Sequence, residues 1–135
     1  MALTVLISVL ALLQFFFFGV LVGRARHRYS VQAPATTGNE VFERYFRVHM
    51  NTLETLVLFL PALWFASRYV NPLWTALLGV IYLIGRLLYW RGYVAAAGKR
   101  GPGYGLSILP ILILLAIGLV GSILSLVIAP GAAGL

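Results

Sequence analysis

The chain has 135 residues and no cysteine; 61% of it is hydrophobic, and its formal net charge is +7. A soluble domain is about 45–50% apolar, so this composition excludes an ordinary water-soluble core and makes lipid the expected solvent. Without cysteine the chain has no disulfide, no thiolate nucleophile of its own and no thiolate-bound metal, and with only two histidines and three acids it has almost no ligands for metal-assisted hydrolysis.

Crossing a bilayer takes roughly 20 apolar residues, and four segments qualify, at about 2–23, 42–67, 72–97 and 104–129. The first carries no charge from Met1 to Gly23. It has no basic leading region and no small-residue cleavage motif, and its apolar run is too long for a signal peptide, so it is expected to be a retained span. Residues 24–41, RARHRYSVQAPATTGNEV, form a polar loop with Pro34 and Gly38. The second segment, FERYFRVHMNTLETLVLFLPALW at 42–64, starts amphipathic and ends almost wholly apolar. RYVN at 68–71 is a tight turn before Pro72, and GKRGPG at 98–103 is a short Gly/Pro turn. Pro130 and Gly131 are expected to end the fourth segment. Short turns make antiparallel neighbours. The predicted fold is therefore all-α and integral to the membrane, a four-transmembrane-helix up-down bundle forming one domain over 1–135.

The charges set an orientation. Arg24, Arg26, Arg28, Arg44 and Arg47 flank the first loop, and Arg91, Lys99 and Arg100 flank the third; the second turn has only Arg68. The positive-inside rule puts loops one and three in the cytoplasm and both termini outside, in a bacterial inner membrane or the endoplasmic reticulum. In a soluble protein +7 would suggest nucleic acid. Here the charges border apolar spans, so anionic headgroups or ligands are the expected partners and nucleic acid is not.

Two helices carry polar faces. Residues three and four apart on a helix are neighbours, so Arg47, Asn51 and Glu54 share one face of the second helix. Tyr82, Arg86, Tyr89 and Tyr93 share one face of the third. At about 1.5 Å per residue, Glu54 lies roughly 18 Å and Arg86 roughly 16 Å from the cytoplasmic side, which predicts a Glu54–Arg86 pair at one level. An ionisable residue inside a span is a functional candidate with a partner. A structural clamp would need fewer cations than this, and arginine forks suit carboxylates; the expected ligand is an anion.

These residues resemble the MAPEG family, the membrane-associated proteins in eicosanoid and glutathione metabolism. The resemblance rests on the order FERxxRxxxNxxE from Phe42 to Glu54, RxxYxxxY from Arg86 to Tyr93, and a basic residue in the next turn. ATTG at 35–38, ALW at 62–64 and YLIGRLLYWRGY at 82–93 extend it. The resemblance implies a homotrimer of four-helix subunits with glutathione between neighbours near the cytoplasmic face. It implies glutathione contacts from Arg26, Arg47, Asn51, Glu54, Arg86, Tyr89 and Tyr93, and an Arg100 that activates the thiol, with no metal. The implied activity is a microsomal-type glutathione transferase, with or without peroxidase activity, in detoxification. Its second substrate would be an apolar electrophile or lipid hydroperoxide taken from the membrane.

Some positions depart from the family pattern. Thr55 stands where some relatives carry an aromatic residue, Val57 where many carry proline, and His49 in place of a commoner glutamine. Residues 111–115 lack the tryptophan of the eicosanoid-converting members, so an eicosanoid substrate is not implied. The alternative is a non-catalytic lipid-binding protein of the five-lipoxygenase-activating type. A small transporter is disfavoured by the lack of an inverted repeat or broken helix pair.

Overall fold

The structure is a computed structural model that describes residues 1–128. It contains α1 (Ala2–Arg28), α2 (Glu40–Ala66), α3 (Pro72–Ala95) and α4 (Gly101–Ile128), with one 3-10 turn, Ala97–Arg100, between the last two. All four helices are long and apolar enough to cross a membrane, and no strand occurs among the described residues. The chain is a multi-pass integral membrane protein with the predicted four-helix architecture. The predicted stop at Pro130 and Gly131 lies outside the described residues.

The helix boundaries follow from local chemistry. Asn39 caps α2, its side-chain oxygen accepting from Val41 N and Phe42 N at 3.0 Å each. Glu40 and Glu43 lie in the first turn, where carboxylates favour the positive end of the helix dipole. Asn71 caps α3 by accepting from Leu73 N at 2.9 Å, and Pro72 opens that helix, where its missing N–H costs nothing. α1 runs on through Arg28, with Arg26, His27 and Arg28 in its last turn, where cations suit the carbonyl end. At the third connection the expected Gly/Pro turn is a 3-10 turn that runs straight into α4, and Pro102 sits in the first turn of that helix.

The core joins Ile7 and Ala11 of α1, Leu56, Phe59, Ala62, Leu63 and Ala66 of α2, Ala76 and Tyr82 of α3, and Ile111 and Leu114 of α4. Phe59 and Tyr82 stack with ring centroids 3.8 Å apart. α2 and α3 each pack against all three other helices, so their polar faces are the ones held most firmly. Lipid gives no hydrophobic drive between helices, and close approach of small residues takes its place. Between α3 and α4 that approach is made by glycine. A Cβ on Gly85 would strike the backbone at Ser107, and one on Gly103 would strike the backbone at Tyr89. Gly121 of α4 leaves room for the Tyr69 ring, which lies where a Cβ would go.

Gly103→Ala is expected to destabilise the bundle by about 1–3 kcal/mol, the usual cost of overpacking, and to lower its melting temperature in detergent. Gly105→Ala is the control. A Cβ there meets nothing, and alanine is the better helix former, so its melting temperature should hold or rise.

Candidate functional site

Arg86 is buried to 0% exposure, and its guanidinium is used inside the protein. Nη1 donates to Asn51 Oδ1 at 3.1 Å and Nη2 to Thr52 Oγ1 at 2.8 Å. The Tyr89 ring centroid lies 4.2 Å from Arg86 Cζ, within cation–π range. Asn51 carries the network outward by donating from Nδ2 to Glu54 Oε2 at 3.0 Å. Glu54 Oε1 in turn lies 3.6 Å from Arg47 Nη1, in an ion pair whose two side chains are each about half exposed. Thr55 Oγ1 and Tyr82 Oη, 2.9 Å apart, extend the buried polar line deeper into the bundle.

The direct Glu54–Arg86 pair expected from depth does not form; Asn51 stands between the two. The reason is the helix ends. α2 starts at Glu40 and α3 ends at Ala95, which puts Glu54 roughly 21 Å and Arg86 roughly 13 Å from that end of the bundle. Arg86 therefore meets Asn51 and Thr52, about one turn short of Glu54.

Beside this network lies a cleft of ≈ 340 Å³, lined by Arg47, Asn51, Tyr89, Arg100, Gly101 and Tyr104. An adjoining cleft of ≈ 500 Å³ includes Glu40, Glu43, Arg44, Arg47 and Tyr93. Tyr93 stacks on Tyr89 at 5.6 Å, and its ring centroid lies 5.5 Å from Arg100 Cζ. Arg47, Asn51, Tyr89 and Arg100 are thus together, Glu54 and Tyr93 flank them, and Arg86 lies beneath. Arg26 stands apart. Its Nη1 donates to Ala35 O at 2.6 Å and Val31 O at 3.4 Å, and its guanidinium covers the Phe42 ring at 4.7 Å. It fastens the first connection. His49 is stacked on Phe15 at 4.4 Å, and the cleft lining does not include it.

Two residues of this region escape sequence reasoning. Tyr104 lies one turn beyond Arg100, and that spacing becomes helical only because α4 starts at Gly101 rather than near 104. Thr52 lies next to Asn51, just off the face that Arg47, Asn51 and Glu54 define. A residue of each type at that spacing was the available signal.

Arg44 holds the geometry from the other side. Its Nη1 donates to Val94 O at 3.3 Å and reaches Ala95 O at 3.5 Å, and its Nη2 lies 3.5 Å from Glu40. The last carbonyls of a helix have no partner within it. A guanidinium from α2 thus caps α3 just before the turn that carries Arg100.

The sequence profile of the MAPEG family matches residues 4–120. The chain belongs to the MAPEG family. An uncharacterized protein of Synechocystis sp. is 48% identical to it over 121 residues, covering 90% of this chain and 85% of that relative. Microsomal glutathione S-transferase 2 of Homo sapiens is 43% identical over 121 residues, covering 87% of this chain and 82% of its own length. Leukotriene C4 synthase of Cavia porcellus is 39% identical over 99 residues, covering 73% and 66% respectively. In this MAPEG chain the matched region takes in the whole of the polar network, the cleft and the Arg44 cap.

Arg44→Ala should leave the melting temperature almost unchanged, since partly exposed ion pairs contribute about 0–1 kcal/mol. Amide hydrogen exchange over residues 92–100 should quicken as the end of α3 loses its cap. Unchanged exchange there would mean that the cap does not hold the turn.

Proposed function

We propose that the chain is a membrane-bound glutathione transferase. It binds glutathione in the Arg47–Arg100 cleft and presents the thiolate to an apolar electrophile from the bilayer. The observation that carries this reading is the charge pattern of the cleft: two arginines on its wall and one carboxylate, Glu54, at its edge. Glutathione carries two carboxylates and one ammonium. Arg47 and Arg100 suit the carboxylates and the sulfur, Glu54 suits the γ-glutamyl ammonium, and Asn51, Tyr89, Tyr93 and Tyr104 supply neutral hydrogen bonds and ring faces. Family membership and the names of the relatives support the same ligand.

A thiol with a pKa near 8.5 is mostly protonated at pH 7. The Arg100 guanidinium favours the thiolate, and the thiol proton leaves to water. The sulfur lone pair then attacks the electrophilic carbon, forming an S–C bond, and the displaced electron pair departs with the leaving group or opened oxygen. With a lipid hydroperoxide the same thiolate attacks the distal oxygen. The O–O bond breaks, giving an alcohol and glutathione sulfenic acid, and a second glutathione converts the sulfenic acid to the disulfide and water. The reading places this basic end of the bundle in the cytoplasm and both termini outside. It also takes the working form to be a homotrimer: Arg47 and Glu54 are half exposed on the flank of one bundle, where a neighbouring subunit would close the site, and Arg26 would serve at such a boundary.

Calorimetric titration of the detergent-purified protein with glutathione should show micromolar to millimolar binding; an absence of binding in that range would overturn the reading. Arg100→Ala should keep glutathione affinity within a few-fold and form roughly 10- to 1000-fold less thiolate near pH 7. Turnover with a model electrophile should fall with it, and the ultraviolet thiolate absorbance should return as pH rises. Lys99→Ala, made in parallel, should change neither. Glu54→Gln should lose about 1.5–3 kcal/mol of glutathione binding, the range for a charge-assisted hydrogen bond.

A further inference from the structure

Arg86 has no exposed surface, so no atom of it can reach a ligand in the cleft, yet its hydrogen bonds lead there by a path whose direction is fixed at every step. The Thr52 hydroxyl has one proton, and it goes to Val48 O at 2.7 Å. Only its lone pairs remain, and one of them accepts from Arg86 Nη2. A guanidinium has donors and no acceptor, so the group of Asn51 that faces Arg86 must be Oδ1. That leaves Asn51 Nδ2 pointing outward, where it donates to Glu54 Oε2. A flipped Asn51 amide would set NH₂ against the guanidinium and its carbonyl against the Glu54 carboxylate, two repulsions in place of two bonds. Thr52 is itself 1% exposed.

The geometry points to Thr52 and Arg86 as positioning residues that act on ligand recognition through Asn51, by fixing the orientation of the Glu54 carboxylate at the edge of the cleft. The ligand group they serve is the ammonium of a γ-glutamyl moiety; the inference rests on glutathione being the ligand. A clamp that merely joined α2 to α3 would affect all parts of a bound molecule alike. A relay through Asn51 that ends on Glu54 affects the ammonium more than any other part of the molecule, although Asn51 itself lines the cleft.

The test compares glutathione with its analogue lacking the γ-glutamyl amino group, both titrated calorimetrically into the detergent-purified full chain. Wild type should prefer glutathione. Thr52→Val keeps the shape and removes the acceptor for Nη2; it should weaken glutathione binding about tenfold or more, since a misplaced charge partner leaves the ammonium poorly paired. Affinity for the deaminated analogue should fall by a clearly smaller factor, because that molecule lacks the group that Glu54 pairs and, of this network, keeps only its contact with Asn51. Thr52→Ser restores the hydroxyl and should restore the preference. Arg86→Lys, whose single ammonium lacks the fork that spans Asn51 and Thr52, should lose the preference as Thr52→Val does, and it serves if Thr52→Val does not fold. A preference that survives in Thr52→Val or in folded Arg86→Lys, whether both ligands bind normally or both weaken equally, overturns the positioning role. Wild type that binds neither molecule overturns the glutathione reading itself, and this inference with it.

Discussion

A guanidinium with no exposed surface, set in a membrane bundle, must find its hydrogen bonds inside the protein. Arg86 is the largest fully buried side chain among the described residues, and the arrangement around it follows from that constraint. Removing such a group from water costs several kcal/mol unless partners replace the water. Asn51 and Thr52, both on α2, are those partners for the two terminal nitrogens, while Nε has none among the described residues, so the desolvated cation on α3 fixes the register of the two helices against each other. Tyr89 adds its ring face from the next turn of α3. The core around Phe59 and Tyr82 begins one turn further in, where the polar line ends at Thr55.

Register alone would not assemble the cleft, because Arg100 belongs to neither helix. It enters through a second constraint, the end of α3. The Arg44 cap on Val94 and Ala95 and the close approach of Gly103 to the backbone at Tyr89 hold α3, the 3-10 turn and the start of α4 in one piece. Arg100 at the end of that turn and Tyr104 in the first turn of α4 then line the cleft together with Arg47. Glycine is required at 85 and 103 because backbone lies where a Cβ would go. The cleft is thus a consequence of how closely two helices meet, as much as of the charged residues that line it.

The four spans were legible because hydropathy needs no knowledge of partners: a run of roughly 20 apolar residues in lipid must satisfy its own backbone, and a helix does so. The polar faces were legible from 3.6-residue spacing, and Arg47, Asn51, Tyr89 and Arg100 do meet. The expected Glu54–Arg86 contact fails by about one turn, because α2 starts two residues before 42 and α3 ends two residues before 97, and these differences shift the two depths in opposite directions. Tyr104 is not legible for a similar reason, since α4 starts at Gly101, three residues before composition suggests. Arg26 was not legible at all. Its bonds to Val31 and Ala35 depend on the first connection folding back under the end of α1, which no periodicity records. Thr52 shows a different limit. Threonine in a span usually bonds back to its own helix, as this one does to Val48, and its second bond appears only when α3 is in place.

The placement of the network bears on its chemistry. The reaction proposed above, between a polar thiol tripeptide and a lipid-soluble electrophile, would need a site that water reaches from one side and lipid from the other. Arg47 and Glu54 are half exposed, whereas Arg86, one layer beneath, is sealed. The exposed pair can exchange partners with an incoming charged ligand at small cost, since an ion pair in that setting is weak. The sealed guanidinium cannot leave without stranding Asn51 and Thr52. Binding would therefore rearrange only the outer layer, while the inner layer keeps Asn51 oriented. Such division of labour between a replaceable ion pair and a fixed, neutrally partnered guanidinium would let a small bundle accept a charged molecule without loosening the helices that hold it.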